Sequence, residues 1–245
     1  MQPREFAMLK TFVLVSGAWH GGWAWRPVAQ HLRQAGHTVY APTLPGLHDG
    51  DEPQRYGLDD VIDHVVTVIE ENDLRDVTLI GHSWGGYVIT GAAPRIAERL
   101  HRLVYWSAFV PAAGRSLMDE VPPHYRELFE GLAAESGDNS VMLPLEVWKA
   151  AFMQDADESV QTMIHSLLVS QPMQYFTTPV DSVMPTKLGI DVSYLLGAED
   201  IGLPEGEYGW PRFAERLGVE PVPVPGSHES LFTRPDELAD AFARA

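Results

Sequence analysis

Short apolar runs rich in β-branched residues alternate with helical stretches along most of this 245-residue chain. Residues 11–15 and 77–80 are two such runs, and between them apolar residues recur at helical spacing over residues 58–69. This alternation predicts a mostly parallel sheet covered by helices. Further strands are predicted at residues 37–41, 103–107, 191–196 and 219–224, with a helix from 84 to about 94 and a last helix from Pro235.

The alternation stops between residues 111 and 181. This segment contains several prolines and helix-like clusters of large apolar side chains, including Phe129, Trp148 and Phe152. We interpret it as a helical cap, because a lid on a rigid sheet has to supply the apolar walls of a binding site. The predicted organisation is a core of residues 1–110 and 182–245 with an inserted cap at 111–181.

Composition and charge exclude several classes of function. The net charge is −17, from 34 acidic and 17 basic residues, so the surface should repel nucleic acid and anionic membranes. No segment reaches the roughly 18 uncharged apolar residues of a membrane span, and the first residues lack the apolar stretch of a secretory signal. We therefore expect a soluble, cytoplasmic protein. The absence of cysteine rules out disulfides, thiolate metal sites and a cysteine nucleophile.

The sequence Gly81-x-Ser83-x-Gly85 directly follows the predicted strand at residues 77–80. It matches the nucleophile elbow, a tight turn between a strand and a helix that lifts a serine hydroxyl clear of the sheet. Glycines flank such a serine because its strained backbone leaves no room for neighbouring Cβ atoms. The position predicts that Ser83 is a catalytic nucleophile.

A serine nucleophile needs a base and an acid that orients the base. In proteins with a nucleophile elbow the three residues occur in the order serine, acid, histidine. Among ten histidines, His228 follows a predicted strand near the C-terminus and is the predicted base. The acid is predicted to be Asp200, just after the strand at residues 191–196, and Glu199 remains its alternative because one residue of register separates them.

The developing oxyanion needs two backbone N–H donors, one after the nucleophile and one in the loop after the first strand. These positions are Trp84 and Ala18. His20 is interpreted as a structural or pocket-wall residue. Substrate contacts are predicted for three residues of the loop and three of the cap: Gly17, Trp19, His20, Phe129, Trp148 and Phe152.

The segments that carry a family resemblance are residues 13–25, Leu32, residues 35–37, Val39, residues 81–86, residues 108–111 and residues 226–228. Their pattern, which includes Gly17-Ala18-Trp19-His20-Gly21-Gly22-Trp23 and Gly226-Ser227-His228, resembles the plant methylesterase and hydroxynitrile lyase branch of the α/β-hydrolases and its bacterial esterase relatives. The resemblance implies the α/β-hydrolase fold, a mostly parallel twisted sheet flanked by helices with an inserted helical cap. The cap itself matches only loosely.

Three positions separate the lyases of this branch from the esterases. The lyases have a threonine after the first loop histidine, a glutamate before the nucleophile and a lysine after the catalytic histidine, where this chain has Gly17, His82 and Glu229. A lysine ammonium stabilises departing cyanide, whereas a carboxylate opposes it. Ser16 stands where most esterases of the branch have a histidine. We interpret that histidine as a residue that orients the loop, so its replacement here affects loop geometry more than the chemistry.

We therefore predict a carboxylic ester hydrolase that forms an acyl-enzyme and uses neither cofactor nor metal. Its substrate is predicted to be a small-molecule ester of a medium-sized apolar or aromatic acid, with a methyl ester as one candidate. The alternatives are a lactonase or cyclase that tailors a secondary metabolite, a hydroxynitrile lyase, and a binding module without turnover. Because members of the branch are often dimers, a homodimer is the expected assembly.

Overall fold

A computed structural model describes residues 9–181 and 183–245 and contains a six-stranded sheet. The strands in chain order are β1 (Thr11–Val15), β2 (Thr38–Tyr40), β3 (Val77–His82), β4 (Leu100–Trp106), β5 (Ser140–Val141), β6 (Gln171–Pro172), β7 (Asp191–Gly197) and β8 (Val222–Val224). All but β5 and β6 belong to this sheet, in the order β2-β1-β3-β4-β7-β8, and all its neighbouring strands run parallel. The predicted α/β fold class is confirmed.

Helices cover both faces of the sheet, and further helices form the segment between β4 and β7. They are α1 (Arg26–Gln34), α2 (Leu58–Glu71), α3 (Gly85–Ala92), α4 (Leu117–Glu120), α5 (Pro123–Ser136), α6 (Leu145–Val147), α7 (Glu158–His165), α8 (Met173–Thr177), α9 (Pro211–Leu217), α10 (Ser230–Thr233) and α11 (Pro235–Arg244). Helices α1 and α11 contact each other, as do α2 and α3.

The side chains of β1 show why the strands are apolar on both faces. Successive residues of a strand point to opposite sides, so Phe12 and Leu14 pack in the cluster that contains helices α1 and α11. Val13 and Val15 pack in a second cluster, which contains α2 and α3. Because both faces are buried, the strands are continuous apolar runs rather than alternating ones.

Two predicted boundaries differ from those observed. The strand predicted at residues 219–224 begins only at Val222, because the preceding Pro221 has no N–H to donate to a ladder. The strand β8 lies at the edge of the sheet, where proline is tolerated. The helix predicted to start at residue 84 starts at Gly85 and continues as a 3-10 turn, Ala93–Arg95.

The order of the strands creates a crevice. From β1 the chain moves to β2 on one side and then returns to β3 on the other side, so the loops that follow β1 and β3 diverge at the carboxyl edge of the sheet. Ligands of open α/β sheets bind at such switch points. The loops after β1, β3, β7 and β8 carry Ala18, Ser83, Asp200 and His228, respectively.

Between β4 and β7 the chain forms helices α4 to α8 and the antiparallel pair of β5 and β6. A single π-helical turn, Trp148–Phe152, follows α6. Side chains of this segment, including Tyr125, Phe129 and Phe176, belong to the same apolar cluster as Val13 and Val15. The segment corresponds to the predicted cap, and its division from the core at residues 111 and 181 stays a prediction. None of the helices within residues 9–181 and 183–245 has the length and apolar character needed to cross a bilayer.

Candidate active site

Ser83 has a strained backbone at the end of β3. Its φ of 52° lies in the left-handed region, which is uncommon for residues other than glycine. The surrounding chain fixes this conformation, because the Ser83 N–H donates to Trp106 O (3.2 Å) and the Ser83 carbonyl accepts from the N–H groups of Gly86 and Phe109 (both 3.1 Å). A strained serine between a buried strand and a helix is the geometry of a nucleophile elbow.

The elbow glycines are required by close backbone approach. A Cβ on Gly81 would lie 2.8 Å from Gly85 O, and one on Gly85 would lie 2.7 Å from Ser16 O. At Gly86 the conflict is greater, since a Cβ would lie 1.9 Å from Phe109 O. Helix α3 therefore packs directly against the neighbouring strands and can hold Ser83 in a fixed position.

Asp200 and His228 form a buried pair. The His228 Nδ1 lies 2.7 Å from Asp200 Oδ2, and their side chains are 1% and 0% exposed. The other carboxylate oxygen, Oδ1, accepts the N–H of Gly202 at 2.8 Å. The Glu199 side chain is 53% exposed and lies 3.9 Å from Arg234, so the structure places Asp200 rather than Glu199 on the imidazole.

Two opposing effects act on the His228 imidazole. Burial lowers its pKa because it disfavours the cation, while the charge and the hydrogen bond of Asp200 raise it. Burial is the largest single effect, but the charge and hydrogen bond of Asp200, together with the charge of Glu229, outweigh it and raise the pKa of His228 above its ordinary value of 6.5. Asp200 therefore favours the protonated form of the His228 imidazole.

Two residues that line a cavity with Ser83 also contact His228. Phe152 and Trp210 line the same cavity as Ser83, and their rings pack on the His228 ring at centroid distances of 5.3 and 5.2 Å. Within the described residues, no hydrogen bond joins the Ser83 hydroxyl to the His228 ring. Catalytic hydrogen bonds are often long or poorly aligned until the Michaelis complex forms.

Two free backbone donors lie beside Ser83. Ala18 and Trp84 line the cavity together with Ser83. In the part of the chain that the structure describes, neither of their N–H groups has a hydrogen-bond partner. Trp84 directly precedes helix α3, whose N-terminal dipole favours negative charge. The two donors can therefore receive an oxyanion.

The cavity is apolar and mainly aromatic. Its fourteen lining residues are Ala18, Trp19, Ser83, Trp84, Phe109, Leu117, Val121, Tyr125, Phe129, Phe152, Phe176, Gly202, Leu203 and Trp210. Apart from the Tyr125 and Ser83 hydroxyls and the Trp210 indole N–H, these side chains offer a substrate only apolar surface, because the indole N–H groups of Trp19 and Trp84 donate to Val141 O and Tyr175 O. The space between these residues is about 390 Å³ when the open mouth of the cavity is included.

Three residues predicted to contact substrate do not line this cavity: Gly17, His20 and Trp148. Gly17 packs against the elbow instead, since a Cβ there would lie 2.9 Å from His82 Nδ1 and 3.0 Å from Ser83 Cβ.

His20 and Trp148 are buried away from the cavity. The His20 Nδ1 lies 2.6 Å from Ala18 O, and its ring packs against that of Trp148 at 5.7 Å. The Trp148 indole N–H donates to Gln161 O (3.1 Å), so this side chain is turned into the cap. Neither side chain faces this cavity, because an aromatic ring on a loop or cap can face either side, and substrate contact at these positions stays a prediction.

Several lining residues were not predicted as site residues: Phe109, Leu117, Val121, Tyr125, Phe176, Gly202, Leu203 and Trp210. Trp210 lies between β7 and α9, in a loop whose sequence carries no catalytic motif. Its stacking on His228 could not be inferred from spacing along the chain.

One cluster of side chains has the composition of a metal site. Ligating atoms of His82, His228 and Glu229 lie within 4.8 Å of one another, and all three residues are buried. However, His228 Nδ1 is engaged by Asp200, and His82 Nε2 lies 3.1 Å from His228 O. Burial and the neighbouring His228 and His20 hold the pKa of His82 well below its usual value. The hydrogen bonds to Asp200 and to the His228 carbonyl therefore account for the proximity of these three side chains.

Comparison with known proteins agrees with this geometry. Residues 12–241 match the Alpha/beta hydrolase family. The chain is 49% identical over 244 residues to the "Carbendazim hydrolyzing esterase" of Nocardioides sp. (strain SG-4G), covering 96% of this chain and 99% of that protein. It is 24% identical to Methylesterase 1 of Arabidopsis thaliana, covering 95% and 94% of the two chains.

A solved structure with a similar fold is an extracellular α/β-hydrolase from a Paenibacillus species, described as sharing structural and functional homology with Tobacco Salicylic Acid Binding Protein 2. The TM-score is 0.91 at 32% identity, covering 96% of this chain and 98% of that one. The family match spans nearly the whole chain, and the relatives include the methylesterases that the sequence resembles. This chain belongs to the alpha/beta hydrolase family.

Proposed function

We propose that this protein is a carboxylic ester hydrolase in which Ser83 is the nucleophile, His228 the general base and Asp200 the acid that orients it. The observation that carries the proposal is the buried contact of 2.7 Å between His228 and Asp200, next to Phe152 and Trp210, which line the same cavity as Ser83. The 49% identical relative is named as an esterase, which supports the same reaction class.

The contact with Asp200 defines the roles of the two imidazole nitrogens. Because a carboxylate only accepts hydrogen bonds, the proton of neutral His228 resides on Nδ1 and leaves Nε2 free to accept the Ser83 proton. The Ser83 oxygen then attacks the ester carbonyl, and the N–H groups of Ala18 and Trp84 stabilise the oxyanion. His228 returns the proton to the departing alcohol, and water activated by the same base releases the acid.

The cavity favours an apolar acyl group. Eight of the lining side chains are aromatic, and no charged side chain is among the lining residues that the structure describes. A charged acid would lose its hydration there without an ionic partner, which is costly. We propose esters of medium-sized apolar or aromatic acids as the substrate class, with methyl esters as candidates, since one relative is named a methylesterase.

Turnover of p-nitrophenyl butyrate by the wild type and by Ser83→Ala tests the reaction class. We expect Ser83→Ala to lose at least about 10³-fold in kcat/KM, because nucleophile variants keep only binding and oxyanion stabilisation. Ser166→Ala is the matched control, as Ser166 is an exposed serine of the cap whose hydroxyl donates to Met163 O. Equal turnover in the wild type and Ser83→Ala contradicts the proposal.

Hydrolysis rates across a panel of methyl esters test the substrate class, with carbendazim and simple lactones included. We expect aromatic and medium-length apolar acids to react faster than short charged ones. Faster hydrolysis of esters of charged acids contradicts the assignment of the cavity as the acyl site. Faster hydrolysis of lactones keeps the triad but changes the proposed substrate class from linear esters to cyclic esters.

We also propose that the protein is cytoplasmic, forms a homodimer and has a separable cap at residues 111–181. The similar Paenibacillus protein is described as extracellular, so cell fractionation is the appropriate test of location. Sedimentation at several concentrations tests the dimer, and limited proteolysis tests the boundaries of the cap.

A further inference from the structure

Trp19 directly follows the proposed oxyanion donor Ala18, and its backbone is strained. Its φ is 68°, in the left-handed region, where a bulky side chain is a clear exception. Such a conformation persists only where the surrounding structure determines it, and it concentrates at functional sites. The contacts that hold Trp19 therefore indicate what maintains the oxyanion loop.

Three hydrogen bonds from the segment between β4 and β7 hold Trp19. The backbone N–H of Trp19 donates to Gln171 Oε1 (3.0 Å), and its carbonyl accepts the N–H of Val169 (3.0 Å). The Trp19 indole N–H donates to Val141 O (2.8 Å). Val141 and Gln171 are paired residues of β5 and β6, so one small sheet provides two of the three contacts.

The peptide group between Ala18 and Trp19 is held at both ends. Its carbonyl oxygen, Ala18 O, lies 2.6 Å from His20 Nδ1, and its N–H is bound by Gln171. Because a peptide group is planar, fixing both ends prevents it from rotating. The Ala18 N–H belongs to the preceding peptide, which is joined to this plane at the Ala18 Cα, so fixing the plane restricts the directions in which that N–H can point.

The buried side chain of Gln171 destabilises the folded state, so packing alone does not explain a glutamine at this position. The side chain is 0% exposed, and within the described residues its Nε2 has no hydrogen-bond partner. An unpaired buried amide destabilises the folded state, so an apolar side chain of similar size would suit a purely structural position better. A glutamine here is accounted for by the acceptor that it presents to Trp19.

We propose that Gln171 is a positioning residue for ester hydrolysis, which holds the peptide between Ala18 and Trp19 so that the Ala18 N–H faces the oxyanion. The inference rests on the proposed function and extends it from the loop to the cap. The sheet of β5 and β6 then contributes to stabilising the transition state. Gln171 itself is not among the residues that line the cavity.

The test compares Gln171→Leu with Gln161→Leu in the full-length protein. Gln161 is the matched control, because it is also a buried cap glutamine but its side chain donates to Met153 O and does not contact the oxyanion loop. We expect Gln171→Leu to lose roughly 10- to 100-fold in kcat on p-nitrophenyl butyrate, less than the loss of a whole oxyanion donor, with KM little changed. Gln161→Leu should keep its kcat.

A second measurement separates positioning from folding. An alkyl trifluoromethyl ketone forms a tetrahedral adduct on Ser83 whose oxyanion needs the Ala18 N–H, whereas butyrate, the product acid, does not form such an adduct. We expect Gln171→Leu to lower the affinity for the ketone by about the same factor as kcat. Inhibition by butyrate should be unchanged. Gln171→Glu, which keeps an oxygen acceptor, should recover part of the loss in both kcat and ketone affinity.

The outcomes distinguish this inference from the proposed function. If the wild type turns over the ester and depends on Ser83, but Gln171→Leu matches Gln161→Leu in kcat and ketone affinity, the positioning role is wrong and the esterase assignment stands. A loss of kcat with unchanged ketone affinity also overturns the positioning role. If the wild type shows no turnover that depends on Ser83, the proposed function itself fails.

Discussion

Glu229 Oε2 and His20 Nε2 face each other at 3.6 Å in the protein interior, and within the described residues neither atom has a hydrogen-bond partner. Burial raises the pKa of Glu229 to about 8 and lowers the pKa of His20 to about 4. Both groups are therefore uncharged at neutral pH. The His20 Nδ1 carries its proton toward Ala18 O, so Nε2 is the nitrogen that can accept the Glu229 proton.

This pair predicts a stability that depends on pH. The folded-state pKa of Glu229 lies above its ordinary value of 4.5, so its stabilising contribution is complete below that value and is lost as the pH rises toward about 8. Glutamine resembles the neutral carboxyl and does not titrate. The free energy of unfolding of the wild type should therefore fall relative to that of Glu229→Gln as the pH rises through this window, by about 1.4 kcal/mol for each unit of pKa shift, and its thermal midpoint should fall with it. A difference that stays constant with pH contradicts the buried neutral carboxyl.

Asp200→Asn should lower kcat by about 10²- to 10⁴-fold, because an amide does not hold the imidazole in the required tautomer or stabilise its cation. Glu199→Gln is the matched control, since the neighbouring carboxylate is largely exposed. Steady-state kinetics on p-nitrophenyl butyrate checks both variants. A larger loss in Glu199→Gln would assign the acid to the other residue.

The pH dependence of kcat/KM should report the raised pKa of His228. The base must be neutral to accept the Ser83 proton, so activity should rise with pH, with its midpoint above the ordinary 6.5 because Asp200 stabilises the cation. In Asp200→Asn the residual activity should show a lower midpoint. An unchanged midpoint in that variant indicates that another group sets the profile.

Gly86→Ala should destabilise the protein by about 1–3 kcal/mol or more, because the new Cβ would lie 1.9 Å from Phe109 O in a closely packed region. Gly131→Ala is the matched control with the opposite sign. Gly131 lies in helix α5 with nothing within 4 Å of a built Cβ, so alanine should stabilise it by about 0.5–1 kcal/mol. Urea unfolding curves measure both changes, and equal stability of the two variants contradicts the packing argument.

Much of the core site follows from sequence because its chemistry imposes local rules. The elbow at Ser83 needs glycines two residues before and two residues after the serine, and His228 follows the last strand of a sheet whose apolar runs are visible along the chain. The choice between Asp200 and Glu199 depends on the direction of one turn after β7, where the Asp200 N–H bonds to Gly197 O. A shift of one residue is beyond what apolar spacing can resolve.

The cap is less predictable for a physical reason. Phe152 lines the cavity and Trp148 does not, although they lie at the two ends of the same π-helical turn. Because the inserted segment packs on several sides, its apolar residues do not mark one face. Their spacing therefore does not show which side chains face the cavity. Gln171 was missed because its partner is a backbone N–H of Trp19, 152 residues away, and such a contact leaves no pattern in the sequence.

The most direct test of the account is covalent labelling of the intact protein by a fluorophosphonate, followed by peptide mapping. The account predicts one adduct on the wild type, located on Ser83, with labelling abolished in Ser83→Ala and slowed in His228→Ala. An unlabelled wild type, or an adduct that persists in Ser83→Ala, would contradict the assignment of Ser83 as the nucleophile.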